Sequence, residues 1–332
     1  MQRKEAHAAW QRLLAAMVLI TPLAIFGQEL DATEHMLRDL SEAPGVSGYE
    51  EPAAQVFMKY LAPHVDRLQR DHLGGVIGSK QGSAPSPRVL LDAHLDEIGF
   101  MVKRVDENGF VKFFPLGWNF PQQLLDRRVL IHTRSGTVLG VLNTGPDIQE
   151  DKLIPREEMW IDVGVASRAE AEALGIQPGD PITHQSSFAR MANPKFLLGK
   201  AWDDRVGLGV LIGVMKNLAQ SPHPNTVFAT GAVQEEITLA GARTLVAAVQ
   251  PDIAITLDID VTSDLPANTS ADYAQPSFST PRKCCRMSNC GSGCRVLRMS
   301  LKFLINSCWK KAAALMPARF TSGIWVCPRS IW

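Results

Sequence analysis

Three short apolar segments, each followed at once by ionisable side chains, place the strongest constraint on the fold of this chain. Residues 89–91, 227–233 and 253–257 are apolar and partly β-branched. Segments of this kind predict strands that are buried on both faces of a parallel sheet. The side chains that follow them are His94 and Asp96, then Glu235 and Glu236, then Asp258. Because ligands of open α/β sheets gather at the carboxyl ends of strands, we expect these side chains to meet in one crevice.

A fourth acidic cluster, Asp203-Asp204, begins a helical pattern rather than following a strand. The apolar side of that pattern is formed by Val206, Val210, Leu211, Val214, Met215 and Leu218. An acidic residue at a helix start also complements the helix dipole, so a capping role for Asp204 stays open. Carboxylate and imidazole ligands from four segments predict a catalytic site for two divalent metal ions.

Length, charge and the N-terminal segment limit the possible classes of protein. The chain has 332 residues, enough for one large or two moderate domains. Its 34 basic and 34 acidic residues give no electrostatic reason to expect nucleic acid as a partner. Residues 13–27 are uncharged and follow Arg3, Lys4 and Arg12, which predicts a signal peptide over residues 1–27 and export to the periplasm or beyond. The stretch is short for a stable membrane span, and an upstream extension of a cytoplasmic protein is the alternative.

The remaining patterns predict a catalytic domain that is interrupted by a second domain. Residues 32–61 indicate two helices around a turn at 44–48, with acidic residues Glu50 and Glu51 at the second helix's start. Short β-rich runs between residues 101 and 194 predict a small barrel, in which Ser167 and Glu170 form a capping box. We therefore expect an α/β catalytic domain over residues 31–103 and 197–265, split by an inserted β domain over residues 104–196.

The last part of the chain differs in composition from the rest. All six cysteines lie there, at Cys284, Cys285, Cys290, Cys294, Cys308 and Cys327. Their spacing matches no standard zinc site well, although a zinc knot is an alternative. Residues 296–311 favour a helix and 321–326 a strand, but we expect an otherwise irregular tail. We interpret residues 266–332 as an aberrant, frame-shifted remnant of the catalytic domain.

Five stretches of the chain resemble one known family. They read LSEAPGVSGYE at 40–50, DAHLDEIGFMV at 92–102, GKAWDDRVG at 199–207, VQEE at 233–236 and AITLD at 254–258. Over about residues 31–264 the chain resembles the M42 family of metallo-aminopeptidases. The resemblance implies a mixed-sheet zinc-peptidase fold of the phosphorylase/hydrolase type, split by a small β-barrel. It also implies peptide substrates and a homo-oligomer, a dodecamer built from dimers.

The resemblance also implies a ligand set for two divalent ions, zinc or cobalt, in each subunit. His94 and Asp258 would bind one ion, Asp203 would bridge both ions, and Glu236 would bind the second. The family pattern continues with a Gly-Gly-Thr-Asp-Ala segment and a final His for the second ion, and this chain has neither. We therefore expect the second metal site to be incomplete.

The catalytic roles follow from the same resemblance. Glu235 would be the general base that takes a proton from a metal-bridging water, and Asp96 would hold the His94 imidazole in one tautomer. We interpret the doublet Glu235-Glu236 as adjacent strand-end residues that point in different directions, so that one ligates while the other acts as base.

Two other functions stay open beside the aminopeptidase. A catalytically silent subunit that binds peptides or assembles with active relatives would explain the missing ligand. Another co-catalytic zinc hydrolase, such as a deacylase, would share the clusters of metal-binding residues but not the sequence of residues 199–207. The histidines that could replace the missing ligand are interpreted as surface or loop residues: His72, His132, His184 and His223.

Overall fold

The computed structural model describes residues 29–145, 154–259 and 325–328. The predicted signal peptide, and the tail apart from its last four described residues, lie outside these ranges. Along the chain the structure divides into two units, Met1–His35 and Met36–Trp332, and the strands of the described residues belong to the second. Within the described ranges, no helix has the length and apolar character needed to cross a membrane.

The structure contains both helices and strands, as the sequence predicts. The helices are α1 (Ala32–Glu42), α2 (Glu51–Leu61), α3 (Arg168–Ala173), α4 (Trp202–Leu218), α5 (Glu235–Thr238) and α6 (Ala240–Val249). The strands are β1 (Arg67–Arg70), β2 (Val76–Lys80), β3 (Val89–His94), β4 (Gly99–Val105), β5 (Val111–Leu116), β6 (Arg128–Thr133), β7 (Gly136–Asn143), β8 (Trp160–Asp162), β9 (Pro181–His184), β10 (Ala189–Arg190), β11 (Leu197–Leu198), β12 (Val227–Ala232), β13 (Ile253–Thr256) and β14 (Trp325–Pro328).

A six-stranded mixed sheet carries the residues singled out from the sequence. Its strand order is β1-β2-β12-β3-β13-β14. The three strands predicted from the apolar segments are adjacent in it, because β12 and β13 both pair with β3 in parallel. The pairs β2–β12 and β13–β14 are antiparallel, so the whole sheet is mixed. In the parallel register His94 lies opposite Ala232, which brings the carboxyl ends of these strands to one edge.

Helices cover both faces of this sheet because its strands are apolar on both sides. On one face α2 and α4 contribute Phe57, Leu61, Leu208 and Leu211 to a core that includes Ala93 and Ala229 of the strands. On the other face α6 contributes Leu245 and Val249, which pack with Ile77, Leu90 and Ala254. Full burial of each large apolar side chain stabilises the fold by about 1.5–3 kcal/mol.

Between β3 and α4 the chain forms the closed barrel that the sequence predicts, with strand order β4-β5-β8-β7-β6-β9. Its interior is filled by apolar side chains, among them Phe100, Val111, Ile131, Leu142 and Ile161. The first strand, β4, begins at Gly99, ahead of the predicted domain boundary at residue 104. One half of the predicted capping box of α3 forms, since Ser167 Oγ accepts a hydrogen bond from the Glu170 amide at 3.3 Å. The Glu170 carboxylate accepts the Ala166 amide at 2.9 Å instead of the Ser167 amide.

The last four described residues differ from the irregular structure expected of the tail. Trp325–Pro328 forms strand β14, antiparallel to β13 at the edge of the sheet. It overlaps the strand predicted over residues 321–326. Trp325 and Val326 have high β propensity, and Pro328, which has no N–H group, is tolerated because an edge strand has only one neighbour.

Candidate metal centre

Three of the residues predicted to bind metal lie together at the carboxyl edge of the sheet. His94 is the last residue of β3, Asp258 follows β13, and Asp203 lies at the start of α4. One ligand atom from each residue lies within 4.8 Å of the others. Among the described residues this is the one group of at least three acidic, histidine or cysteine side chains that could hold a metal ion.

His94 is held from both sides of its ring. Its Nδ1 atom lies 3.0 Å from the main-chain oxygen of Asp96 and 3.5 Å from the carboxylate of that residue. Its Nε2 atom lies 2.8 Å from Oδ1 of Asp203. Burial alone would lower the pKa of His94, but the hydrogen bonds to Asp203 and Asp96 outweigh it and raise the pKa well above its ordinary value. Because Nδ1 faces the main-chain oxygen, Nε2 is the nitrogen left to ligate a metal ion.

Asp204 takes the capping role that the sequence analysis left open. The backbone of Asp203 and Asp204 is not helical, and the peptide bond between them is cis. Asp204 Oδ1 accepts a hydrogen bond from the Gly207 amide at 3.1 Å, and Oδ2 accepts one from the His94 amide at 3.3 Å. Asp204 therefore accepts a hydrogen bond from a backbone amide in the first turns of α4 and connects this helix to β3. This connection places Asp203 beside the imidazole.

The doublet Glu235-Glu236 does not lie at a strand end, so that interpretation was wrong. Strand β12 ends at Ala232, and the two glutamates are the first residues of the four-residue helix α5. Consecutive helical side chains diverge by about 100° because a turn holds 3.6 residues. Glu235 Oε2 lies 4.0 Å from His94 Nε2. Glu236 Oε2 instead lies close to Gly117, which follows strand β5 of the barrel. A Cβ atom added to Gly117 would lie only 3.1 Å from this oxygen.

Both glutamates have environments that disfavour their charged form. The pKa of Glu236 is raised to about 8, with burial as the largest cause; His94 opposes this rise, and the carboxylates of Asp203 and Asp96 add to it. Burial also raises the pKa of Glu235, again with His94 opposing. The cluster therefore contains more carboxylate charge than its one imidazole can balance, which is the electrostatic condition that a divalent cation relieves.

The carboxylate of Asp96 has partners that the sequence analysis did not foresee. It is fully buried and accepts hydrogen bonds from Ser47 Oγ at 2.5 Å, the Glu235 amide at 3.0 Å and the Glu236 amide at 3.1 Å. Burial tends to raise the pKa of Asp96, but the interactions with His94 and Ser47 lower it. Asp96 is thus connected to the glutamate doublet as well as to the imidazole.

A buried ionic network, which the sequence does not predict, lies beside the candidate metal centre. Glu97 Oε1 lies 2.6 Å from Lys200 Nζ and 3.8 Å from Arg205 Nη2. Arg205 is fully buried and donates hydrogen bonds to the main-chain oxygens of Leu40, Ala43 and Leu95. Lys200 and Arg205 both belong to the GKAWDDRVG stretch, in which only the acidic pair Asp203-Asp204 was predicted to have a role. The network joins α1, the segment after β3 and α4 around the metal ligands.

The donor set of the centre fits one divalent ion. An imidazole nitrogen and two carboxylate oxygens are ligands that zinc and similar ions accept. Glu236, which the resemblance implies as a ligand of a second ion, does not join the group of His94, Asp203 and Asp258.

The other histidines do not complete a second site within the described ranges. His132 lies on β6 and His184 on β9, so neither is a loop residue, and both are half-buried. Their Nε2 atoms lie 2.9 Å from Thr183 Oγ1 and 3.1 Å from Asn119 Oδ1, respectively. His223 Nδ1 lies 2.7 Å from the main-chain oxygen of Asn225, and His72 is exposed.

Comparison with known proteins agrees with this architecture. The family model described as M42 glutamyl aminopeptidase matches residues 74–277. The lysyl aminopeptidase of Pyrococcus furiosus is 31% identical over 231 residues, which cover 68% of this chain and 65% of that protein. A TET aminopeptidase from a Thaumarchaeota archaeon has 35% identity and a TM-score of 0.69, covering 71% of this chain and 69% of that one. The TET1 peptidase of Pyrococcus horikoshii has 27% identity and a TM-score of 0.63, covering 73% and 79%.

The match with these relatives covers part of their length and includes the candidate site residues. The chain spans about two thirds of the length of the curated relatives that it matches. The matched region includes His94, Asp203 and Asp258 together with Glu235 and Glu236. On this match, the chain belongs to the M42 glutamyl aminopeptidase family.

Proposed function

We propose that this protein is a metal-dependent aminopeptidase that removes N-terminal residues from peptides. The observation that carries the proposal is the position of Glu235, whose Oε2 atom lies 4.0 Å from Nε2 of the ligand-type residue His94. A base at the rim of a cluster of metal ligands is the arrangement that metal-assisted hydrolysis needs.

In this proposal His94, Asp203 and Asp258 would hold one divalent ion, and Asp203 together with Glu236 would supply carboxylates for a second. When bound, divalent ions would polarise the substrate carbonyl and lower the pKa of water. Asp96 keeps the imidazole oriented through its main-chain oxygen, so that Nε2 faces the ligand cluster.

Glu235 is the residue proposed to move the proton. Its raised pKa suits a base that must accept a proton from the attacking water and then deliver it to the leaving amine. Its side chain is 31% exposed, so a substrate can reach it from solvent. Positioned general acid–base catalysis contributes typically about 10²–10⁴-fold to the rate.

A silent peptide-binding or assembly subunit is the second candidate function. It is favoured by the ligand count, since Asp203 and Glu236 are two carboxylates without an imidazole for the second ion among the described residues. The TET1 peptidase of Pyrococcus horikoshii assembles into a tetrahedron or an octahedral shell. By analogy this chain would form a dodecamer built from dimers, and the inserted β domain predicted over residues 104–196 would make the contacts between subunits.

The deciding experiment measures metal content and hydrolysis together. The purified full chain would be loaded with zinc or cobalt and assayed with aminoacyl anilides and short peptides. We expect Glu235→Gln to lower kcat by about 10²–10⁴-fold with metal content unchanged. The exposed barrel residue Glu157 provides the control Glu157→Gln, which should match the parent. A metal-loaded parent chain that binds peptides without turnover would instead identify the silent subunit.

A further inference from the structure

The turn that carries the two glutamates has no local reason to adopt its shape. Gln234 has left-handed backbone angles, φ 55° and ψ 35°, which are unfavourable for a residue with a side chain. Helix α5 has four residues, too few to be stable alone. Gln234 also supplies no side-chain cap for the first amides of that helix. Contacts from other segments must therefore hold the turn.

Two buried carboxylates provide those contacts by accepting hydrogen bonds from three consecutive amides. The Gln234 amide donates to Glu50 Oε1 at 3.0 Å. The Glu235 amide donates to Asp96 Oδ1 at 3.0 Å, and the Glu236 amide donates to Asp96 Oδ2 at 3.1 Å. Since the three amides are fixed, the directions in which both glutamate side chains leave the backbone are fixed as well.

Glu50 is not used for the purpose that its sequence position suggests. It precedes α2 at the N-cap position but makes no side-chain capping hydrogen bond there. Its Oε1 atom instead accepts the Gly48 amide at 2.7 Å and the Gln234 amide at 3.0 Å. Glu50 is 7% exposed, whereas the side chain of its neighbour Glu51 is 58% exposed and pairs with Arg70. Burial of a carboxylate is costly unless it accepts hydrogen bonds, and two amides at Glu50 offset that cost.

The loop around Glu50 also fixes the second carboxylate. Ser47 Oγ donates to Asp96 Oδ2 at 2.5 Å, the same oxygen that accepts the Glu236 amide. Gly48, with φ +86°, provides the backbone turn that allows Ser47 and Glu50 to approach the doublet together. One short loop therefore supplies one acceptor and orients the other.

From this geometry we propose that Glu50 is a positioning residue for Glu235 and Glu236, assisted by Ser47 acting through Asp96. Its structural part stands on the hydrogen bonds alone, whereas its catalytic consequence rests on the proposed function. Loss of the Glu50 acceptor would free Gln234 from its left-handed conformation and shift Glu235 relative to His94. A misplacement of about 1 Å is enough to lower a rate by about 100-fold.

The test compares Glu50→Ala and Glu50→Gln with the matched control Glu51→Ala in the full chain. We expect hydrogen exchange of the residue 234–236 amides to accelerate at least about 10-fold in Glu50→Ala. With zinc or cobalt loaded, kcat should fall about 10- to 100-fold while KM stays within about 2-fold. Glu50→Gln keeps an acceptor oxygen and should stay within about 3-fold of the parent in both measurements. Calorimetric titration of Glu50→Ala with zinc should give the parent's affinity for the ion that His94, Asp203 and Asp258 are proposed to hold.

Unchanged exchange at residues 234–236 in Glu50→Ala, or equal acceleration in Glu51→Ala, would overturn the proposal. A parent chain without peptidase activity would refute the proposed function instead, and the exchange measurement would still decide the positioning role. If Glu50→Ala does not fold, Ser47→Ala takes its place. That variant should accelerate exchange at Glu236 through the loosened Asp96, and no change there would contradict the proposal.

Discussion

His94 Nε2 and Asp203 Oδ1 lie 2.8 Å apart although 109 positions separate the two residues along the chain. The imidazole is buried, whereas the Asp203 side chain is 48% exposed. The pair therefore presents one fixed and one accessible ligand atom, so that an ion can enter from the solvent side.

Removing the fixed ligand should abolish tight metal binding. We expect His94→Ala to weaken zinc or cobalt binding by about 100-fold or more, because even residues that only support a ligand cost 10- to 100-fold. Calorimetric titration of the metal-free protein measures this. The exposed histidine His72 gives the control His72→Ala, which should bind as the parent does. Equal affinity in His94→Ala would exclude His94 as a ligand.

The stability of the metal-free protein should fall as pH rises. Glu236 has an ordinary pKa of 4.5 in the unfolded chain and about 8 in the folded one, so the folded state binds an extra proton between these values. Its contribution is fully present below pH 4.5 and is lost as pH rises through about 8. One group can change the unfolding free energy by at most about 1.4 kcal/mol per pH unit.

Urea unfolding in the presence of a chelator, at several values between pH 5.5 and 8.5, checks this dependence. Glu236→Gln should flatten it, because the amide does not titrate. Added zinc should reverse the trend, since its binding displaces protons and strengthens with pH. A parent protein that becomes more stable with rising pH in the chelator would contradict the assignment.

Arg205 should be irreplaceable even by lysine. Its guanidinium donates to three main-chain oxygens, and one ammonium group cannot reach all of them. We expect Arg205→Lys to lower the unfolding free energy by about 2 kcal/mol or more, because buried carbonyls lose their donors. Arg38, whose side chain is 37% exposed, gives the control Arg38→Lys, which should change stability by less than about 0.5 kcal/mol. Thermal unfolding of both variants distinguishes these outcomes.

Gly117 should be required by its contacts as well as by its backbone. It has φ +74°, and an added Cβ atom would lie 2.7 Å from Ile98 Cγ2 and 3.1 Å from Glu236 Oε2. Gly164 has a similar φ of +76° with nothing within 4 Å, so Gly164→Ala measures the backbone cost alone. We expect Gly117→Ala to lower the free energy of unfolding by about 1 kcal/mol or more beyond the effect of this control, as measured by urea unfolding. Equal destabilisation by Gly117→Ala and Gly164→Ala would mean that the close contacts of Gly117 do not contribute to stability.

The parts of the fold that were predictable are those with a local cause. Strands β3, β12 and β13 follow from short apolar runs, and the barrel follows from β-rich runs between turns. The predicted strand-end position of the Glu235-Glu236 doublet was wrong because Gln234 has left-handed backbone angles that no neighbouring residue indicates. Glu50 was placed correctly at a helix start, but its partner Gln234 is 184 positions away and no local pattern shows it.

The insertion of the barrel between β3 and α4 has a consequence for the order of events during synthesis. His94 leaves the ribosome first, the whole barrel follows, and only then do Asp203 and finally Asp258 emerge. The candidate ligand group is thus completed only after strand β13, and pairings so distant in sequence form slowly. A nascent chain that has not yet added β13 and Asp258 cannot bring all three candidate ligands together, so uptake of a metal ion would show that β13 has paired with β3.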